Sequence, residues 1–184
     1  GSANHGCEAI VRSTQKLLDV TPNLVSSAVQ EDYKYKLNEI AHLQNKLDGE
    51  SNLFEKIRYI LEKKIFNSEK YGYEEYRSGT IALSIGGDNY CYGEAYNLYL
   101  SAMNKQLHKK NIKTVLWGCS IEPSQVTSEM QKDFSRYDLI VARESISYNE
   151  LKKYNSNTVM TCDPAFTLNK EELPLPPNFV EKKV

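Results

Sequence analysis

From Thr80 onward the sequence alternates short apolar runs with amphipathic stretches of helical length, the order expected of a parallel sheet covered by helices. Thr80 to Cys91 (TIALSIGGDNYC) is a buried-type strand that runs into two glycines, an acid and an amide. Gly93 to Lys110 follows as a helix, then Lys113 to Ser120 (KTVLWGCS) as a strand ending near Gly118. A helix through Met130 to Tyr137, a strand Asp138 to Ser145 (DLIVARES), a helix Ser147 to Tyr154 and a strand Thr158 to Cys162 complete the series. Such β-α-β units cross over right-handedly, so every strand delivers its end to one edge of the sheet. Open α/β sheets bind ligands at the carboxyl ends of their strands, and three ends here carry polar residues.

The first part of the chain is less regular. Cys7 to Asp19 has the spacing of a helix, and a short strand is expected near Asn23 to Ala28, in the same sheet as the later strands. Between residues 33 and 76 two amphipathic helices are expected: Leu37, Ile40, Ala41, Leu43 and Leu47 recur at helical spacing, as do Phe54, Ile57, Ile60, Leu61 and Ile65, with a break at Gly49. This reads as a helical insertion that covers the sheet. Residues 1–170 thus form one domain. The opening GSANHG leads into a helix with no strand before it, so a first strand is expected to lie outside this chain. Pro174, Pro176 and Pro177 crowd residues 171–184, which read as a linker toward an absent C-terminal domain.

A net charge of −1 supplies no basic field for nucleic acid. No apolar run approaches the ~20 residues of a membrane span, and no signal-peptide order is visible. Cys7, Cys91, Cys119 and Cys162 form no CxxC pair and read as reduced, small core residues of a cytosolic protein. His5, His42 and His108 show no metal-ligand spacing, and no metal or cofactor is expected.

Several residues have chemistry suited to an anionic ligand. Asn4, His5 and Gly6 open a helix whose positive end favours phosphate or carboxylate; Asn4 reads equally as a plain N-cap and His5 as a solvent-facing turn residue. His5 has the pKa range of a general acid. Gly86 and Gly87 allow close backbone approach, and Asp88 with Asn89 could accept or orient hydroxyls. The turn matches neither GxGxxG nor a P-loop. Arg143 ends an apolar strand, where its planar fork suits an anion; the alternative is an internal ion pair with Glu144, Asp138 or Asp163. Pro164 after Asp163 marks a turn. Thirteen tyrosines are present, and Tyr90, Tyr92, Tyr96 and Tyr99 cluster beside the glycine turn, where one or two could stack on a sugar face.

Taken together, NHGCEAIVRS (4–13), SIGGDNY (84–90), LWGCSIEP (116–123), DLIVARESIS (138–147) and CDPAFTL (162–168) resemble the polysaccharide pyruvyl transferase family. The resemblance implies a Rossmann-like N-terminal half of a two-domain enzyme similar to the GT-B glycosyltransferases. It implies transfer of pyruvate as a ketal from phosphoenolpyruvate to a sugar of a bacterial surface polysaccharide or its lipid-linked precursor, in the cytoplasm or at the inner face of the membrane. His5, Asp88, Arg143 and Glu144 are then the catalytic candidates. Asn4, Gly6, Gly86, Gly87, Asn89, Gly118 and Asp163 are the substrate-binding ones. The family's first strand and its C-terminal half with an Arg-Leu-His type motif have no counterpart here, so this chain is not expected to turn over alone. Many members carry a third glycine where this sequence has Asp88. A GT-B enzyme using a nucleotide sugar and a non-catalytic sugar-binding or assembly domain are the competing readings; the oligomeric state is open.

Overall fold

A computed structural model of the chain describes residues 2–26, 28–45 and 81–170. Four strands, β3 (Ile81–Ile85), β4 (Lys113–Cys119), β5 (Leu139–Ala142) and β6 (Thr158–Met160), form an all-parallel sheet in sequential order. The connections between them carry α3 (Glu94–Lys109), α4 (Ser128–Phe134) and α5 (Ser145–Leu151). A sequential order with right-handed crossovers puts these three helices on one face. Leu116 of β4 and Ile140 of β5, paired in register and fully buried, meet Leu100, Phe134 and Leu151 there. The opposite face receives α1 (His5–Leu18), where the Trp117 indole donates to Thr14 Oγ1 at 3.0 Å. The expected parallel α/β sheet flanked by helices is therefore the fold.

The short strand β1 (Asn23–Ser26) lies elsewhere than expected. It pairs in parallel with β2 (His42–Asn45) as a separate two-stranded sheet instead of joining the main one. β2 itself occupies sequence that the Leu37-to-Leu47 spacing marked as helix. The helix that precedes it, α2 (Val29–Lys34), stops because Lys36 takes a left-handed conformation (φ 57°), which an α-helix cannot continue through. Leu37 is buried in a single 3₁₀ turn, Leu37–Glu39, and the His42 amide then donates to the Pro22 carbonyl, opening the pairing with β1. The rest of the expected helical pair, residues 46–76, and the proline-rich segment 171–184 lie outside the described residues.

A polar cluster sits inside the helix-covered core. Asp133 is fully buried; Tyr90 Oη and Asn104 Nδ2 donate to its two oxygens, and Arg136 adds a third donor at 3.3 Å. Tyr90 and Tyr137 hydroxyls lie 3.0 Å apart, and Thr114 Oγ1 donates to Asn104 Oδ1 at 2.7 Å. Burial raises the Asp133 pKa and raises those of both tyrosines further, so the phenols act as donors. Because Tyr90 belongs to the 3₁₀ turn Asn89–Cys91, this cluster anchors the loop that leaves β3.

The four cysteines are free. Cys119 is buried and Cys7 half-buried, but Cys91 and Cys162 are exposed, which corrects the reading of all four as core residues. Both exposed thiols lie past strand ends, in the connections at the carboxyl edge where the sheet stops burying side chains. Among the described residues no helix is long and apolar enough to cross a membrane.

Candidate active site

Four strand ends converge on one guanidinium. Arg143 follows β5, and its amide donates to the Cys119 carbonyl of β4 at 3.2 Å. Its Nε donates to Ser120 Oγ, just past β4, at 2.8 Å, and Nη1 donates to Asp163 Oδ2, past β6, at 2.8 Å. The guanidinium lies against Gly87, past β3, so closely that a β-carbon there would collide with Nη1 and Nη2. The Gly87 carbonyl in turn accepts from the Ser120 amide at 2.6 Å. Gly87 is thus required for room and not for its φ angle, whereas Gly86 has a positive φ of 136° that an L side chain would strain.

Asp163 was one of three acids expected as an internal partner of Arg143, and it is the one paired. It also caps the 3₁₀ turn Pro164–Thr167 through Ala165 at 2.9 Å. The ion pair is open to water: the side chains are 29% and 20% exposed. Nη2 makes no hydrogen bond among the described residues, so the guanidinium keeps donor capacity beyond these two bonds. Gly118 has φ 68° and sits at the register shift between Trp117 and Cys119, with Pro164 packed over it; it lets β4 and the β6 end approach.

The remaining candidates separate into groups. Asn89 is buried and turns inward: its Nδ2 donates to Ser84 Oγ and to the Ile85 carbonyl, both at 3.1 Å, which shapes the glycine turn. Asp88 is exposed beside Gly87 and accepts from Tyr92 Oη at 2.8 Å. Glu144 is committed to the backbone: it is the N-cap of α5, accepting from Ile146 at 2.7 Å and Ser147 at 2.8 Å. Burial pushes its pKa up, but these hydrogen bonds and the Arg143 charge outweigh that and hold it below the usual carboxylate value. Asn4 is the N-cap of α1, its Oδ1 accepting from Gly6 at 2.9 Å. His5 is exposed, with Nδ1 3.1 Å from Glu8 and its ring edge-on to Tyr35.

Ser120 was not among the sequence candidates. Its only signal was position, one residue past the end of an apolar strand. The arrangement as a whole is a partly exposed, cation-centred floor built from strand ends, with the exposed residues Asp88 and Tyr92 at its rim. Residues 4–182 match the family described as "Polysaccharide pyruvyl transferase".

The chain belongs to the polysaccharide pyruvyl transferase family. No curated protein and no solved structure matches it. Family membership makes the strand-end floor part of a transferase that works on a saccharide acceptor. All five sequence blocks that carried the resemblance lie within the matched residues, and four of them, at 84–90, 116–123, 138–147 and 162–168, meet around Arg143.

Proposed function

We propose that the protein transfers pyruvate from phosphoenolpyruvate onto two hydroxyls of a sugar, as a ketal, with Arg143 holding an anionic group of the donor. The observation that carries this reading is the partly exposed guanidinium at the meeting point of four strand ends, with donor capacity left after Ser120 and Asp163. Phosphoenolpyruvate brings a phosphate and a carboxylate, and a planar fork suits either.

The reaction runs in two additions. A sugar hydroxyl adds to C2 of the enolpyruvate and gives up its proton to Asp88 while C3 takes a proton from the general acid and becomes methyl. The C2–O bond to phosphate then breaks, phosphate leaves with the bonding electron pair, and the second hydroxyl closes the ketal, its proton passing to phosphate. Arg143 favours this course by stabilising negative charge on donor oxygens as the bond to phosphate lengthens. The backbone around Gly86 and Gly87 supports the second anion; at the start of α1 the Gly6 amide is already used by Asn4. Asp88 orients the attacking hydroxyl, because it is exposed while Glu144 is occupied as a cap. His5 is one candidate for the proton to C3; a histidine of a C-terminal domain is the other. Asn89, Gly118 and Asp163 hold the floor in shape. The chain forms the Rossmann-like half of a GT-B-like enzyme in this reading, working in a bacterial cytoplasm or at the inner membrane face on a free or lipid-linked saccharide, without a cofactor.

The test is to incubate the full-length protein with phosphoenolpyruvate and a panel of saccharides and to follow phosphate release together with the new ketal methyl signal by NMR. Saccharide-dependent phosphate and a methyl singlet in equal amounts are expected. Turnover of nucleotide sugars with no ketal methyl would overturn the reading.

A further inference from the structure

The rim of the floor contains a feature that the anion chemistry does not use. Tyr92 is 59% exposed, yet its ring is held from two directions. Its hydroxyl donates to Asp88 Oδ2 at 2.8 Å, and its ring stands edge-to-face on Tyr96, with centroids 5.4 Å apart and planes at 80°. Tyr96 leans on Tyr99 at 6.0 Å, and both are packed against the core cluster. An exposed tyrosine is ordinary by itself. A ring fixed at both ends differs, because little side-chain entropy remains to be lost when something settles on its face.

We infer that Tyr92 and Asp88 form the acceptor subsite, in which the Tyr92 ring carries the C–H face of a neutral pyranose and Asp88 accepts one of its hydroxyls. This rests on the pyruvyl-transfer reading for the identity of the reaction, but the subsite itself needs only a saccharide. A pyranose shows an apolar C–H face rimmed by hydroxyl donors, and this pair offers an apolar ring bordered by a carboxylate acceptor. Asp88 has acceptor capacity beyond the Tyr92 hydroxyl. Its charge selects against an acidic sugar in this position, since like charges at short range repel. The hydrogen bond to Asp88, followed by burial, raises the Tyr92 pKa to about 12, so the phenol remains a donor to Asp88 at any working pH. Position completes the case: Gly87, which abuts Arg143, is the residue before Asp88. A sugar on Tyr92 therefore presents its hydroxyls at the border of the arginine floor.

The experiment uses the full-length protein with Tyr92→Ala and Tyr92→Phe, each checked by thermal melting; an exposed side chain leaves the fold intact. Steady-state kinetics should show the KM for the saccharide raised about tenfold or more in Tyr92→Ala, about twofold to threefold in Tyr92→Phe, and the KM for phosphoenolpyruvate unchanged in both. Equal losses in Ala and Phe variants, or a rise in the phosphoenolpyruvate KM with the saccharide KM unmoved, would overturn the subsite. Should the wild type form no ketal, the reaction reading falls. The subsite is then judged by saturation-transfer NMR with a panel of neutral methyl hexopyranosides and no donor present. Transfer to ring C–H protons that disappears in Tyr92→Ala supports it, and absent transfer in the wild type or equal transfer in the variant refutes it.

Discussion

The buried cluster around Asp133 and the strand-end floor around Arg143 are built from the same materials, ionisable groups joined by hydrogen bonds, and they differ in whether those bonds close. Asp133 is fully buried and meets Tyr90, Asn104 and Arg136. Arg143 meets Ser120 and Asp163 but keeps donor capacity beyond them, and exposed Asp88, next to Gly87 in the chain, keeps acceptor capacity. A closed network in low dielectric is stiff and costly to break; an open one at a sheet edge contributes little to folding and has room for a ligand. The closed cluster holds Tyr90, and through it the turn that presents Gly87 and Asp88.

Replacement of Asp133 by Ala should give the largest effect on folding. It removes the carboxylate that accepts from buried Tyr90 and Asn104 and leaves them only the Tyr137 hydroxyl and the residue-133 carbonyl, and a loss of about 3 kcal/mol in denaturant titration is expected. A loss below about 1 kcal/mol would erase the distinction between the two regions. Arg143→Ala should do the reverse: turnover of the full-length enzyme is expected to fall ~10²–10³-fold, the usual cost of one preorganised donor to developing charge. Stability should change by about 1 kcal/mol, less than at Asp133, because the pair with Asp163 is partly exposed and water can reach the carboxylate left behind. Gly87→Ala sharpens the point. The atoms nearest the added methyl are the flexible end of Arg143, so melting should be nearly unchanged, while displacement of the guanidinium by about 1 Å should lower kcat/KM by up to ~10²-fold. Normal kinetics in that variant would show that the position of the guanidinium is unimportant.

The smallest effect belongs to Glu144, which the sequence offered as a catalytic residue and the structure uses as a cap. Its folded pKa is lowered, so its stabilisation is present above the unfolded value near 4.5 and is lost as pH falls through the folded value. Glu144→Gln should therefore cost about 1 kcal/mol at neutral pH, and the gap to the wild type should close in acid. A gap that does not narrow as the pH is lowered would contradict the cap assignment.

The main sheet was legible because alternation of apolar strands and amphipathic helices survives in any sequence that folds this way. Arg143 was legible for an energetic reason: a charge at the end of an apolar strand needs a partner. The pairing of β1 with β2 was not, because four-residue strands are too short for period-2 patterning to outweigh a chance helical spacing of Leu37, Ile40 and Ala41. The capping role of Glu144 was not legible because glutamate is not a favoured N-cap type and the serines after it are, so the sequence starts this helix at Ser147 whereas it starts at Ser145. Tyr90 was legible only as one of four tyrosines clustered beside the glycine turn; that its hydroxyl reaches an aspartate 43 positions away is a property of the folded chain alone.

Calorimetric titration of phosphoenolpyruvate into the full-length protein, wild type against Arg143→Ala at equal folded fraction, tests the central claim most directly. Binding by the wild type and a loss of at least tenfold in affinity in the variant, with the melting temperature within a few degrees, is the predicted result. Equal affinity in the two proteins would show that Arg143 serves Asp163 and the sheet edge alone.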